Sequence, residues 1–201
     1  MGDCNADPDR GSLAHRKPTG ELNMLRTILT FGVAAGLIVA LPMFVMLAIN
    51  PDPGSMAGSQ VTGYLLMLAA LSLTFVGVKR YRDRVRGGVI KFVPALMVGL
   101  GISAVAAVIY VIGWEITLAA TDFAFAETYT RGAIDAAREN GASAAEIQQI
   151  AARMAEFQEQ YANPFFRLPV TFIEIFPVGV VISLISAALL RNSRFLPARA
   201  A

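Results

Sequence analysis

Apolar positions in this chain are gathered into four runs, at about residues 27–49, 61–78, 93–120 and 169–190. An α-helix rises ~1.5 Å per residue, so ~20 apolar residues cross the ~30 Å hydrocarbon core of a bilayer. Each run approaches or exceeds that length, and only Glu115 and Glu174 carry charge within them. A lipid-facing backbone must satisfy its own hydrogen bonds, and the runs lack the in/out alternation of a barrel strand. The pattern therefore predicts four transmembrane helices.

The breaks between the runs are chemically explicit. Asn50-Pro51-Asp52-Pro53-Gly54-Ser55 removes two backbone donors and allows a reversal. The second break is basic, with Lys79, Arg80, Arg82, Arg84, Arg86 and Lys91 around Gly87-Gly88. Further cations flank the first run (Arg10, Arg16, Lys17, Arg26) and follow the last (Arg191, Arg194, Arg199), whereas residues 50–60 contain none. Lysine and arginine accumulate in cytoplasmic loops. All three basic regions share one side only with four spans and both termini inside. The six cations of the second break serve as topology determinants and attract anionic headgroups at ~1 kcal/mol each. No nucleic acid is expected.

The third loop, 121–168, has a pattern of its own. Helix-favouring sequence runs to Asn140-Gly141, a stop signal, and Ser143-Ala144-Ala145-Glu146 then offers a capping box. Ile147, Ile150, Met154, Phe157 and Tyr161 recur at spacings of three and four and form one apolar stripe. A weaker stripe passes through Phe123, Phe125, Tyr129 and Ile134. Two helices outside the membrane are predicted. The expected fold is thus all-α: an integral membrane four-helix bundle (residues 25–191) with an extramembrane helical hairpin between spans 3 and 4, a disordered cytoplasmic arm (1–24) and a cytoplasmic tail (192–201).

Composition agrees with this reading. The chain has 201 residues, 55% of them hydrophobic and only 16% charged, with a mean hydropathy of +0.55, which disfavours a water-soluble enzyme. One cysteine, Cys4, cannot form an internal disulfide. The single histidine, His15, lies in the arm, so a bis-histidine haem site, a histidine-containing metal cluster and a Ser/His/Asp arrangement are all unsupported. No cofactor, metal or catalytic residue is expected, and the chain does not read as an enzyme.

The remaining candidates lie in the spans. Ionisable groups at that depth are costly unless hydrated or paired, and Glu115 and Glu174 both fall toward the outer side. Facing each other, they would form a proton- or cation-binding pair with Tyr110 beside them. Otherwise each reaches headgroup water or a neighbour such as Arg167, with Trp114 and Tyr110 as interfacial aromatics. In the first span Gly32, Gly36 and Ala40 recur every four residues, a small-residue face that lets another helix approach closely, inside the bundle or in a second subunit. Two functions follow. One is a non-enzymatic membrane scaffold or accessory component, meeting a protein partner or a second copy through the hairpin stripe or the small-residue face. The other is a small proton- or cation-coupled transporter or channel using the outer carboxylates.

Several stretches together resemble a bacterial family of small integral membrane proteins, domain of unknown function 4199: Gly77-Val78-Lys79-Arg80-Tyr81-Arg82-Asp83 with Gly87-Gly88, Ala95 to Gly101 with Tyr110-Val111-Ile112-Gly113-Trp114, and Asn163-Pro164 leading to Thr171 to Gly179 and Ser183 to Ala187. The resemblance spans Leu25 to Asn192. It implies four spans with a helical insertion before the last, in the cytoplasmic (inner) membrane of a bacterium, and brings no activity or substrate.

Overall fold

The computed structural model describes residues 18–49 and 60–198, which form six helices: α1 (Pro18–Ile49), α2 (Gln60–Val85), α3 (Phe92–Ala120), α4 (Phe125–Glu139), α5 (Ala144–Ala162) and α6 (Pro164–Leu190). Among the described residues there is no strand. Four helices contain stretches long and apolar enough to cross a membrane: Gly20–Pro42, Tyr64–Val85, Phe92–Ala120 and Pro164–Leu190. The first 17 residues, with Cys4 and His15, and residues 50–59 lie outside the described residues.

Helix boundaries depart from the apolar runs where local signals extend them. α1 begins at Pro18, inside the stretch expected to be irregular, because proline suits a first helical position and Glu21 in the first turn complements the helix dipole. α2 continues through the basic residues to Val85, so Lys79 to Arg84 are helical rather than loop. It ends at Gly87 and Gly88, whose φ values of 65° and 88° suit residues without a Cβ, and the Gly88 amide closes the turn on the Arg82 carbonyl at 2.9 Å. α6 starts at Pro164 instead of Pro169, because Asn163 caps it: its side chain accepts from the Phe165 amide at 3.0 Å, with proline next in line. Arg167 is thereby moved from loop into helix.

α3 is the hub. It packs on α1, α2 and α6, while α2 also touches α1 and α6. A Cβ built on Gly32 would lie 2.6 Å from the Val105 Cβ, and one on Gly36 would lie 2.5 Å from the Ile109 Cβ, so the small-residue face of α1 is the seat of α3. Both positions advance by four, which makes the two helices parallel. Between α3 and α6 the order is reversed, with Gly99 facing Ser183 and Ser103 facing Gly179, as antiparallel neighbours require. Gly/Ser pairs on both helices let the backbones approach, and the hydroxyls find partners. Ser183 Oγ donates to the Gly179 carbonyl at 2.7 Å and Ser103 Oγ to the same oxygen at 3.2 Å. Thr74 of α2 completes this buried hydroxyl set at 3.5 Å from Ser103.

Two apolar clusters flank it. One gathers Val78, Tyr81, Ile90, Ala95, Val98, Ile102, Ala187 and Leu190 toward the basic end, the other Val39, Met67, Ala70, Leu71, Ala107 and Ile175 toward the opposite end. At that opposite end α4 and α5 pack on each other, joined through Gly141 at φ 76°. The capping box at Ser143 is formed. The Glu146 carboxylate accepts from the Ser143 amide at 2.7 Å and its hydroxyl at 2.8 Å, and these bonds hold the Glu146 carboxyl below its ordinary value.

Candidate functional site

Arg167 organises the end that carries α4 and α5. Its place in the first turn of α6 turns the side chain inward, leaving the residue 4% exposed. Nε donates to Glu115 Oε1 and Nη2 to Glu115 Oε2, both at 2.7 Å, which is the planar fork that suits a carboxylate. Nη1 donates to the Tyr161 carbonyl at 2.9 Å. The guanidinium carbon also sits 5.3 Å from the Phe123 ring centroid and 5.7 Å from that of Tyr161. Phe123 reaches this position through left-handed backbone at Asp122 (φ 48°) and Phe123 (φ 58°), strain the surrounding contacts must offset.

Aromatic side chains extend the same junction. Trp114 Nε1 donates to the Tyr161 hydroxyl at 2.6 Å and meets Phe125 edge-on at 4.7 Å. Tyr129, Phe157 and Tyr161 continue the contact between α4 and α5. Burial pushes the Tyr161 phenol up, so it acts as a neutral hydrogen-bonding group. Ile147, Ile150 and Met154 are half-buried along the same side of α5. The Phe157–Tyr161 end of the α5 stripe is therefore engaged on α4, and the small-residue face of α1 is engaged on α3.

Glu115 and Glu174 do not share a partner. Glu174 lies two turns further along α6 and is exposed beside Tyr110, whose hydroxyl donates to Glu174 Oε2 at 3.5 Å, at the limit of a hydrogen bond. So Tyr110 is brought to Glu174, and Arg167 to Glu115. The two flanking cavities are apolar in character. One, about 330 Å³, lies between α3 and α6 and is lined by Val108, Val111, Ile112, Leu168, Pro169, Phe172 and Ile173. The other, about 400 Å³, lies between α2 and α6 and adds Ser72 and Ser186 to Leu68, Phe75, Val76, Ile182 and Ile185.

At the basic end Arg80, Arg84, Arg86 and Lys91 are exposed and Lys79 is half-buried, bridged to Asp83 at 2.6 Å. Arg82 is placed differently, with no exposed surface. It donates through Nε to Asp83 at 2.7 Å, through Nη1 to the Phe195 carbonyl at 2.9 Å and through Nη2 to the Leu196 carbonyl at 2.5 Å. The segment after α6 thus folds back beneath α2, where Phe195 meets Phe75 edge-on at 6.5 Å. Position within a basic run could not reveal that one arginine turns inward, because the acceptors are backbone atoms more than a hundred residues away. Arg82→Gln should release this segment: limited trypsin digestion is expected to cut after Arg191 and Arg194 several-fold faster than in the parent protein. Unchanged cleavage would show that Phe195 packing alone holds the strap.

Neither a curated protein nor a solved structure matches the chain. The family described as protein of unknown function (DUF4199) matches residues 30–192, a stretch that runs from α1 through the Arg167 junction to the end of α6. The chain belongs to that family.

Proposed function

We propose that the protein is a non-enzymatic scaffold or accessory component of a bacterial inner membrane, built as a four-helix bundle (α1, α2, α3, α6) with both termini cytoplasmic and α4–α5 as a rigid hairpin outside. Orientation follows from the basic residues at the α2–α3 turn and beyond α6, against the acid-rich α4–α5 segment. The observation that carries the scaffold reading is the Arg167–Glu115 fork, which ties α6, α3 and α5 together. A connector needs no such anchoring. A platform that presents a fixed surface does. Since the Phe157–Tyr161 end of the α5 stripe and the α1 glycine face are engaged internally, the docking surface is the polar outer side of α4 and α5, with Glu127, Arg131, Asp135, Glu156 and Glu159 exposed. Transport by a Glu115/Glu174 pair is less well supported, because Glu115 is bound to Arg167.

Photo-crosslinkers placed at Gln149 and Glu156 in living cells test this. The expected result is a discrete crosslinked protein band that disappears when Glu115→Gln loosens the junction. Crosslinking only to lipid, together with a Glu174-dependent proton or cation flux in liposomes, would overturn the scaffold in favour of transport.

A further inference from the structure

Three carboxylates occupy α2, α3 and α6, and they are treated unequally. Asp83 is bridged by Lys79 and Arg82, and Glu115 by Arg167, whereas among the described residues no cation is bridged to Glu174. Along α1 and α2 the sequence holds no lysine or arginine between Arg26 and Lys79. Arg167, two turns away on the same helix, has its donors directed to Glu115 and to backbone carbonyls. With ~1.5 Å per residue, Glu174 stands about 15 Å from the start of α6. In a ~30 Å hydrocarbon layer centred on the ~40 Å helix, that places it ~10 Å inside the boundary.

Among the described residues the group hydrogen-bonded to it is a hydroxyl. Tyr110 of α3 points at Oε2 from 3.5 Å. Thr171, one turn along α6, donates to the Arg167 carbonyl at 3.0 Å. Thr171 lies between Glu174 and Arg167 along α6, on the way to the Arg167–Glu115 junction, where Glu115 retains 28% side-chain exposure. An ionised carboxylate without a cation is costly at this depth, while a carboxylic acid, with one donor and its acceptors, is not.

We propose that Glu174, with Tyr110 as its positioning residue, is a proton-exchange site at the bilayer face of the protein, taking its proton from and returning it to the side that carries α4 and α5. Binding converts the carboxylate to the acid and nothing else changes hands. The site stands whether or not the protein is a scaffold, since its evidence is the unequal pairing of the carboxylates.

Dicyclohexylcarbodiimide reads such a site directly. It dissolves in hydrocarbon and takes the proton of a carboxylic acid onto nitrogen while the carboxyl oxygen adds to its central carbon. An oxygen-to-nitrogen acyl shift then leaves a stable N-acylurea, without a leaving group. On the full chain in liposomes, mass spectrometry should find the adduct on Glu174 and not on Glu115, with labelling lost as the pH is raised. Glu174→Gln should keep its gel-filtration profile and lose the adduct. Tyr110→Phe should retain the adduct but shift the pH at which labelling is half lost. An unlabelled Glu174, equal labelling of Glu115, or labelling independent of pH would overturn the proposal. An unchanged profile in Tyr110→Phe would overturn the positioning role of that tyrosine.

Discussion

Replacing Glu115 by glutamine lowers the thermal midpoint of the detergent-solubilised protein by about 6–12 °C, the shift expected for a loss on the order of 3 kcal/mol in a chain of this size. The magnitude follows from what is left behind more than from what is removed. Arg167 is 4% exposed and its charge cannot be shed, so with a neutral amide in place of the carboxylate it stays enclosed with one amide oxygen, the Tyr161 and Ala162 carbonyls and two aromatic faces, and no counter-charge. Removing both charges is gentler. Glu115→Leu combined with Arg167→Met should recover more than half of the lost stability, because no buried charge then remains and the volume is roughly kept. The damage should also be local. Hydrogen exchange should accelerate in Phe123–Tyr161, which the fork anchors, before it does in the Ser103–Gly179 crossing. Equal destabilisation by single and double replacements would mean that the pair contributes through packing alone.

That junction also marks the limit of what the pattern of residues could disclose. Apolar runs that approach or exceed a bilayer thickness reveal four long helices on their own, because burial in lipid demands a continuous apolar surface. The capping box at Ser143 is equally legible, since all its atoms lie within four residues. Partner choice is another matter. By sequence alone Arg167 is in reach of either glutamate. Only the start of α6 at Pro164, set by Asn163, aims it at Glu115 and leaves Glu174 with Tyr110. The apolar stripe of α5 was visible as a stripe, yet amphipathic spacing is the same whether a face awaits a partner or already has one. Here α4 covers its Phe157–Tyr161 end. Arg82 is the clearest case of long-range determination: its acceptors belong to a segment that composition marks only as a short polar tail.

Gly179→Ala and Gly132→Ala should move stability in opposite directions, although the chemical change is identical. Gly132 lies within α4 with nothing within 4 Å of an added Cβ, so alanine there gains helix propensity and stabilises α4 by about 0.5–1 kcal/mol. At Gly179 the new Cβ would stand 2.5 Å from the Ser103 Cβ and 2.7 Å from its Oγ. α6 must then move off α3, and the cost of forcing a methyl into a packed crossing is about 1–3 kcal/mol. Displacement also breaks the bond from Ser103 Oγ to the Gly179 carbonyl, where Ser103 is buried at 1% exposure. The reciprocal register of the crossing offers its own control. In Ser103→Gly combined with Gly179→Ala, the methyl occupies space the serine vacates, so the double variant should be more stable than Gly179→Ala alone, as read by thermal midpoint in the same detergent. If the double variant is instead the sum of two independent losses, α3 and α6 do not meet at these residues, and the antiparallel pairing of Gly99 with Ser183 and Ser103 with Gly179 would have to be abandoned.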